Sequence, residues 1–173
     1  LVPTLGTVLM PPGSPSYTVS DIPGIIEGAS ENKGLGLEFL KHIENSSGIV
    51  FVLGMDRSDP VSDLKVLMHE LDIHGIKNIE RALVVCNKCD LDVKTHGVQE
   101  KFETVSKFVN TQNQLVKNKL KKKKDAPEDI DTDIFWNTIP ISAKNQQNTQ
   151  LLKRNMFGLV FDKKTNKKRK VLE

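Results

Sequence analysis

Two unbroken apolar runs limit what this chain can fold into more than anything else in it: Ile49-Val50-Phe51-Val52-Leu53 and Ala82-Leu83-Val84-Val85-Cys86. A strand with one wet face alternates apolar and polar residues. A strand that is apolar at every position needs cover on both faces, which the inner strands of a parallel sheet receive. Between the two runs lies helix chemistry. Asp59 can cap the first turn, Pro60 fits where a missing N–H costs nothing, and Val61, Leu64, Leu67, Met68 and Leu71 recur at helical spacing. At that spacing Met68 reads as core rather than as a functional sulfur.

The rest of the chain extends the alternation. Leu5 to Met10 and Tyr17 to Ser20 read as a hairpin joined through the turn-rich Pro11 to Pro15. Pro23, Gly24, Gly28, Gly34 and Gly36 then punctuate a stretch with the composition of a mobile loop, followed by a short helix carrying Leu37, Phe39, Leu40 and Ile43. Val98, Phe102, Val105, Val109, Val116 and Leu120 predict a long helix, Ile134 to Ile141 a third strand, and Gln147 to Phe157 a last helix. Together these predict an α/β layer sandwich with a mainly parallel sheet and an antiparallel edge hairpin. The 173 residues, 38% of them hydrophobic, suit one core. No apolar run reaches the roughly 20 residues that span a bilayer, so no transmembrane segment is expected. Residue 1 is a leucine, which leaves an upstream targeting segment open. Two cysteines are too few for a disulfide framework and fit a reducing compartment.

In a sheet of this kind ligands gather at the carboxyl ends of the strands, and three strand ends carry suggestive chemistry. Asp21-Ile22-Pro23-Gly24 offers a carboxylate for a hydrated Mg²⁺ and a bare glycine amide that can approach a terminal phosphate. An Asp-x-x-Gly turn is common, so this signal is weak alone. Asn87-Lys88-Cys89-Asp90 follows the second apolar run. Asp90 can accept two hydrogen bonds from the N1–H and exocyclic amine of guanine, a donor pair that adenine lacks, which selects GTP over ATP. Lys88 can lay its methylene stem across the base plane, and Asn87 can tie loops together. Ser142-Ala143-Lys144 ends the third strand, where a backbone amide beside a small side chain can reach guanine O6. The order and spacing of the three loops give them a weight that none has singly.

That order resembles the translation-factor class of GTP-binding proteins. Leu1-Val2-Pro3-Thr4-Leu5-Gly6-Thr7-Val8, Asp21-Ile22-Pro23-Gly24-Ile25-Ile26-Glu27-Gly28-Ala29 and Gly34-Leu35-Gly36-Leu37-Glu38-Phe39-Leu40-Lys41-His42-Ile43-Glu44 are similar to the Obg family of ribosome-assembly GTPases. The body around Val84 to Asp92 is most similar to mitochondrial members from yeast-like fungi. The resemblance implies a three-layer P-loop NTPase-like G domain over residues 1–161, with a charged insertion at about 121–133 and a basic tail at 162–173. It implies GTP hydrolysis in the assembly of the large ribosomal subunit, with GTP and GDP, rRNA or the large subunit as partners and a mitochondrial location, in the matrix or at the inner-membrane periphery. By position it makes Asp21 a carboxylate that meets Mg²⁺ through water, Ile22 and Pro23 nucleotide-binding residues of the same turn, Gly24 a γ-phosphate contact, Asn87, Lys88 and Asp90 guanine readers, and Ser142, Ala143 and Lys144 the closing base loop. Ile25 stands where many related GTPases place a water-orienting glutamine, which implies slow intrinsic turnover and leaves no catalytic side chain identified. A G-x-x-x-x-G-K-[ST] loop is absent from the 173 residues. The first strand, phosphate loop and first switch are therefore expected upstream. The chain alone is expected to hydrolyse GTP poorly, to hold an incomplete Mg²⁺ site, and to aggregate through exposed apolar edges.

The charge is unevenly distributed. Lys117, Lys119 and Lys121 to Lys124 form one basic cluster, and Lys163, Lys164, Lys167, Lys168, Arg169 and Lys170 another. They hold 12 of the 25 basic residues, leaving the remaining chain with 13 basic against 22 acidic residues, a balance of −9. Such runs can meet RNA phosphate or an anionic membrane surface, and they also suit a solvated loop and tail. The alternative function is a non-catalytic RNA- or ribosome-binding module built on these clusters. A zinc or redox half-site at Cys86-x-x-Cys89 lacks a second ligand pair.

Overall fold

The computed structural model describes residues 4–22, 43, 46–73, 82–91, 96–121 and 136–161. Both apolar runs are strands: β3 (Ile49–Gly54) and β4 (Ala82–Asn87), joined in parallel with Phe51 opposite Val84 and Leu53 opposite Cys86. β5 (Trp136–Pro140) pairs in parallel with the other side of β4, giving the order β3-β4-β5. β4 is therefore central, and its residues from Ala82 to Cys86 are all buried.

Successive strand side chains point to opposite faces, so the apolar runs feed two cores. Phe51, Leu53, Ala82, Val84 and Cys86 face one way and pack with Leu64 and Leu71 of α1 (Pro60–Ile73) and Val105 and Val109 of α2 (Val98–Lys121). Leu83, Val85 and Ile139 face the other way and pack with Leu159 of α3 (Thr149–Phe161). This is the expected α/β/α layering. The cap on α1 is formed as its sequence requires, with the Ser62 amide donating to Asp59 Oδ1 at 3.0 Å.

The hairpin departs from the expectation of an edge joined to the main sheet. β1 (Thr4–Val8) and β2 (Tyr17–Asp21) pair antiparallel as a separate two-stranded sheet. Its attachment runs through side chains. Tyr17, 5% exposed, donates its hydroxyl to the Lys153 carbonyl on α3 at 3.0 Å and sets its ring edge-on to Phe157, while Ile22 packs against the α1/α2 core. Most other residues of the hairpin are exposed or half-buried, which is why one aromatic anchor carries the contact. Ile43, from the expected short helix, is buried in the first core; the rest of that helix, the insertion beyond Lys121 and the tail lie outside the described residues.

Among the described residues β3 pairs only with β4, and Val52 on it is 57% exposed, an apolar side chain on a strand with one unpaired edge. Leu64→Ala should cost about 2–5 kcal/mol in a denaturant titration of the intact protein. Tyr17→Phe, which removes one hydrogen bond, should cost about 1 kcal/mol in the same measurement. Val52→Lys should change stability by less than about 0.5 kcal/mol while delaying the onset of light scattering on heating. An unchanged onset would show that the β3 edge is not the adhesive surface.

Candidate nucleotide-binding site

The parallel register sets three strand ends side by side. Past the last strand pairs the ladder continues into the loops: the Met55 amide donates to the Asn87 carbonyl at 2.9 Å, the Ile141 amide to the Cys86 carbonyl at 2.8 Å, and the Cys89 amide to the Ile141 carbonyl at 3.0 Å. The loops after β3, β4 and β5 are thus held at one level. This puts the loop of Asn87, Lys88 and Asp90 beside the loop of Ser142, Ala143 and Lys144.

Asn87 joins the two loops. Its Oδ1 accepts from the Lys88 amide at 2.8 Å and from the Ala143 amide at 3.0 Å. The second bond bears on the sequence reading, because the Ala143 amide is a natural donor for guanine O6 and here it is given to Asn87. Lys88 has a left-handed backbone, φ 68°, which costs a residue with a Cβ roughly 1–2 kcal/mol. The bond from its own amide to the preceding side chain helps to hold that turn.

Asp90 and Ser142 form the second link. The buried Ser142 hydroxyl accepts from the Asn145 amide at 3.1 Å and donates to the Asp90 carboxylate, so both of its capacities are used. That bond is the main cause holding Asp90 below the usual carboxylate range; the Lys144 charge adds a smaller push the same way. An isolated bridge pairs Ser142 with Gln147, and Asn148 Nδ2 donates to the Pro140 carbonyl at 2.9 Å. Gln146 and Asn148 both take positive φ to close this loop.

The structure adds one residue that the sequence reading passes over. Lys88 Nζ donates to Asp56 Oδ2, joining the loop after β4 to the loop after β3. Asp56 is held below the ordinary carboxylate range, first by this bond. The sequence signal was slight: Met55-Asp56-Arg57 follows an apolar strand but fits no ligand pattern.

Asp21 ends β2 with an exposed side chain, and Ile22 is half-buried beside it. Pro23, Gly24 and Ile25 lie outside the described residues. No group of three or more His, Cys, Asp or Glu able to hold a metal occurs among the described residues. Cys86 is fully buried, and desolvation pushes its thiol up to about 12, while Cys89 Sγ sits 3.1 Å from the Cys86 carbonyl oxygen. Cys86 lies in the core, and among the described residues no third ligand is grouped with the two cysteines to build a zinc site. No helix among the described residues is long and apolar enough to cross a membrane.

The family model described as 50S ribosome-binding GTPase matches residues 3–88. The chain is 40% identical over 157 residues to the mitochondrial GTPase MTG2 of Saccharomyces cerevisiae, an alignment covering 91% of this chain and 26% of that protein. To GTPase Obg of Nautilia profundicola it is 37% identical over 164 residues, covering 92% of this chain and 43% of that protein. To GTPase Obg of Clostridium novyi it is 42% identical over 114 residues, covering 64% and 26%. The chain thus spans less than half the length of each of these relatives. With a parallel α/β/α sheet of the kind found in P-loop GTPases and sequence matches of this extent, the chain belongs to the Obg family of GTPases.

Proposed function

We propose that this chain supplies the guanine-reading part of a GTP hydrolase of the Obg type. The observation that carries the reading is the Asn87–Ala143 bond, which, with the Asp90–Ser142 contact beside it, joins two sequence-distant loops into one polar edge. Asp90 accepts from the N1–H and exocyclic amine of the base. Its bond from Ser142 uses one lone pair and leaves others for those two donors. Lys88 lines the base plane with its stem, and Asn87, Ala143 and Lys144 close the opposite edge. Readout of O6 by the Ala143 amide then exchanges its Asn87 partner for the base.

The phosphate end is assigned to Asp21-Ile22-Pro23-Gly24, with Gly24 approaching the γ-phosphate. A single exposed carboxylate at Asp21 suits a hydrated Mg²⁺ carried mainly by the nucleotide's phosphates, since Mg²⁺ gives up its water reluctantly. When bound, that ion offsets phosphate charge during transfer. Ile25 cannot orient an attacking water, so turnover depends on a group from elsewhere. A large ribosomal subunit, or its RNA, is the proposed partner for the 1–161 unit with its lysine cluster at 117–124 and for the basic tail at 162–173, in a mitochondrial setting suggested by the yeast relative. Contact of those clusters with an anionic membrane surface is a weaker proposal, resting on charge alone.

Asp90→Asn should reduce affinity for GDP by at least about tenfold and bring a gain for xanthosine diphosphate, measured by competition against a fluorescent nucleotide. Retention of guanine preference would overturn the reading. Asp90 acts as an acceptor only when ionised, and its carboxyl is held below the usual range. Guanine affinity should therefore persist as pH falls through the ordinary aspartate range and disappear below it. The matching check is an affinity profile against pH with Ser142→Ala, which should move the loss to higher pH.

A further inference from the structure

Gly54 closes β3 opposite Asn87, and the Met55 amide carries the ladder one step beyond, on the Asn87 carbonyl. Asp56 is therefore delivered beside Lys88 by strand register. The space it uses depends on the glycine: a Cβ at position 54 would overlap the Asp56 carboxylate, and the Arg57 amide donates to the Gly54 carbonyl at 3.1 Å to close the turn. From the other side Lys101 Nζ of α2 donates to the Met55 carbonyl at 3.0 Å. The neighbouring Arg57 donates to Asp63 through Nε at 3.0 Å and Nη2 at 3.2 Å, and its charge adds a smaller pull on Asp56 than the Lys88 bond does. Lys88 has its backbone turned left-handed and its ammonium fixed on Asp56, so the side chain runs from the β4 loop to the β3 loop.

We propose that Asp56, seated against the bare Cα of Gly54, is a positioning residue for the base site: by holding the Lys88 ammonium it sets the lysine stem as a bar along the plane of a bound guanine. The proposal rests on the guanine reading above. An unrestrained lysine loses much rotamer freedom on covering a base, and a partner that fixes the far end takes part of that loss before the nucleotide arrives. The pair is half-exposed, so its effect is that of a surface ion pair and modest in size.

The test is a double-mutant cycle in the intact protein, read as the Kd of a fluorescent GDP analogue. Asp56→Asn should weaken GDP about threefold, and the same change in a Lys88→Met background should add nothing. Gly54→Ala, which displaces the carboxylate, should reproduce the loss and should also be silent without Lys88. Support of the ring face is blind to the ring edge. In an Asp90→Asn background the Asp56→Asn loss should therefore appear at equal size for xanthosine diphosphate, an outcome that general loosening of the fold does not predict. Unchanged affinity, tighter binding, or a full-sized loss persisting in Lys88→Met would overturn the proposal while the base reading stands. If Asp90→Asn leaves guanine preference intact, the base reading falls and the proposal with it.

Discussion

The hydrogen bond from the Ala143 amide to Asn87 Oδ1 turns neighbouring strand ends into a site. Parallel strands need no contact between the loops that follow them, and each loop left alone would sample its own conformations. To the backbone bond between Cys89 and Ile141, Asn87 adds one side-chain oxygen, which accepts from both its own loop and the next. Everything else at the site is placed relative to this link. Asp90 lies on one side of it and reaches Ser142; Lys88 lies on the other and reaches Asp56.

The sheet makes that link possible by fixing heights. Cys86 and Ile141 continue the β4–β5 ladder past the strands, and Met55 does the same between β3 and β4. Burial on both faces then resists slippage, because a one-residue shift of β4 would exchange the Val84 and Cys86 face with the Leu83 and Val85 face. Core packing and site geometry are thus the same constraint seen at two ends of the strand. A cavity at Leu64 acts mainly on stability, whereas a change in register would act first on the loops.

Sequence reasoning reaches the strands and the α1 cap because each leaves a local mark: an unbroken apolar run, or Asp-Pro before a helical period. It missed Asp56 because the feature that gives this residue its place is a glycine two positions earlier and a register partner 32 residues later. Neither has a one-dimensional signature. The separate hairpin was illegible for a similar reason. Alternation in Tyr17 to Ser20 signals a strand, but the identity of its neighbour depends on a hydroxyl meeting the Lys153 carbonyl, 136 residues away. The bond from the Ala143 amide to Asn87 is likewise not foreseeable from Ser-Ala-Lys alone.

The charges around the site alternate: Asp56, Lys88, Asp90 and Lys144. This pattern suits a neutral base, whose identity lies in the direction of its donors rather than in net charge. Each carboxylate already has a partner that holds it ionised, so neither needs the ligand's charge to stay an acceptor. Cys89 stands between Lys88 and Asp90, where a thiolate would place a second negative charge beside the reading carboxylate. Partial burial and the Asp90 charge both push its pKa up, burial foremost, and its thiol rests against the Cys86 carbonyl. The carboxylate proposed to read the base thus adds to burial in keeping this cysteine neutral. On the guanine reading proposed above, that leaves Asp90 as the acidic member of this loop and hydrogen-bond direction as the basis of selection.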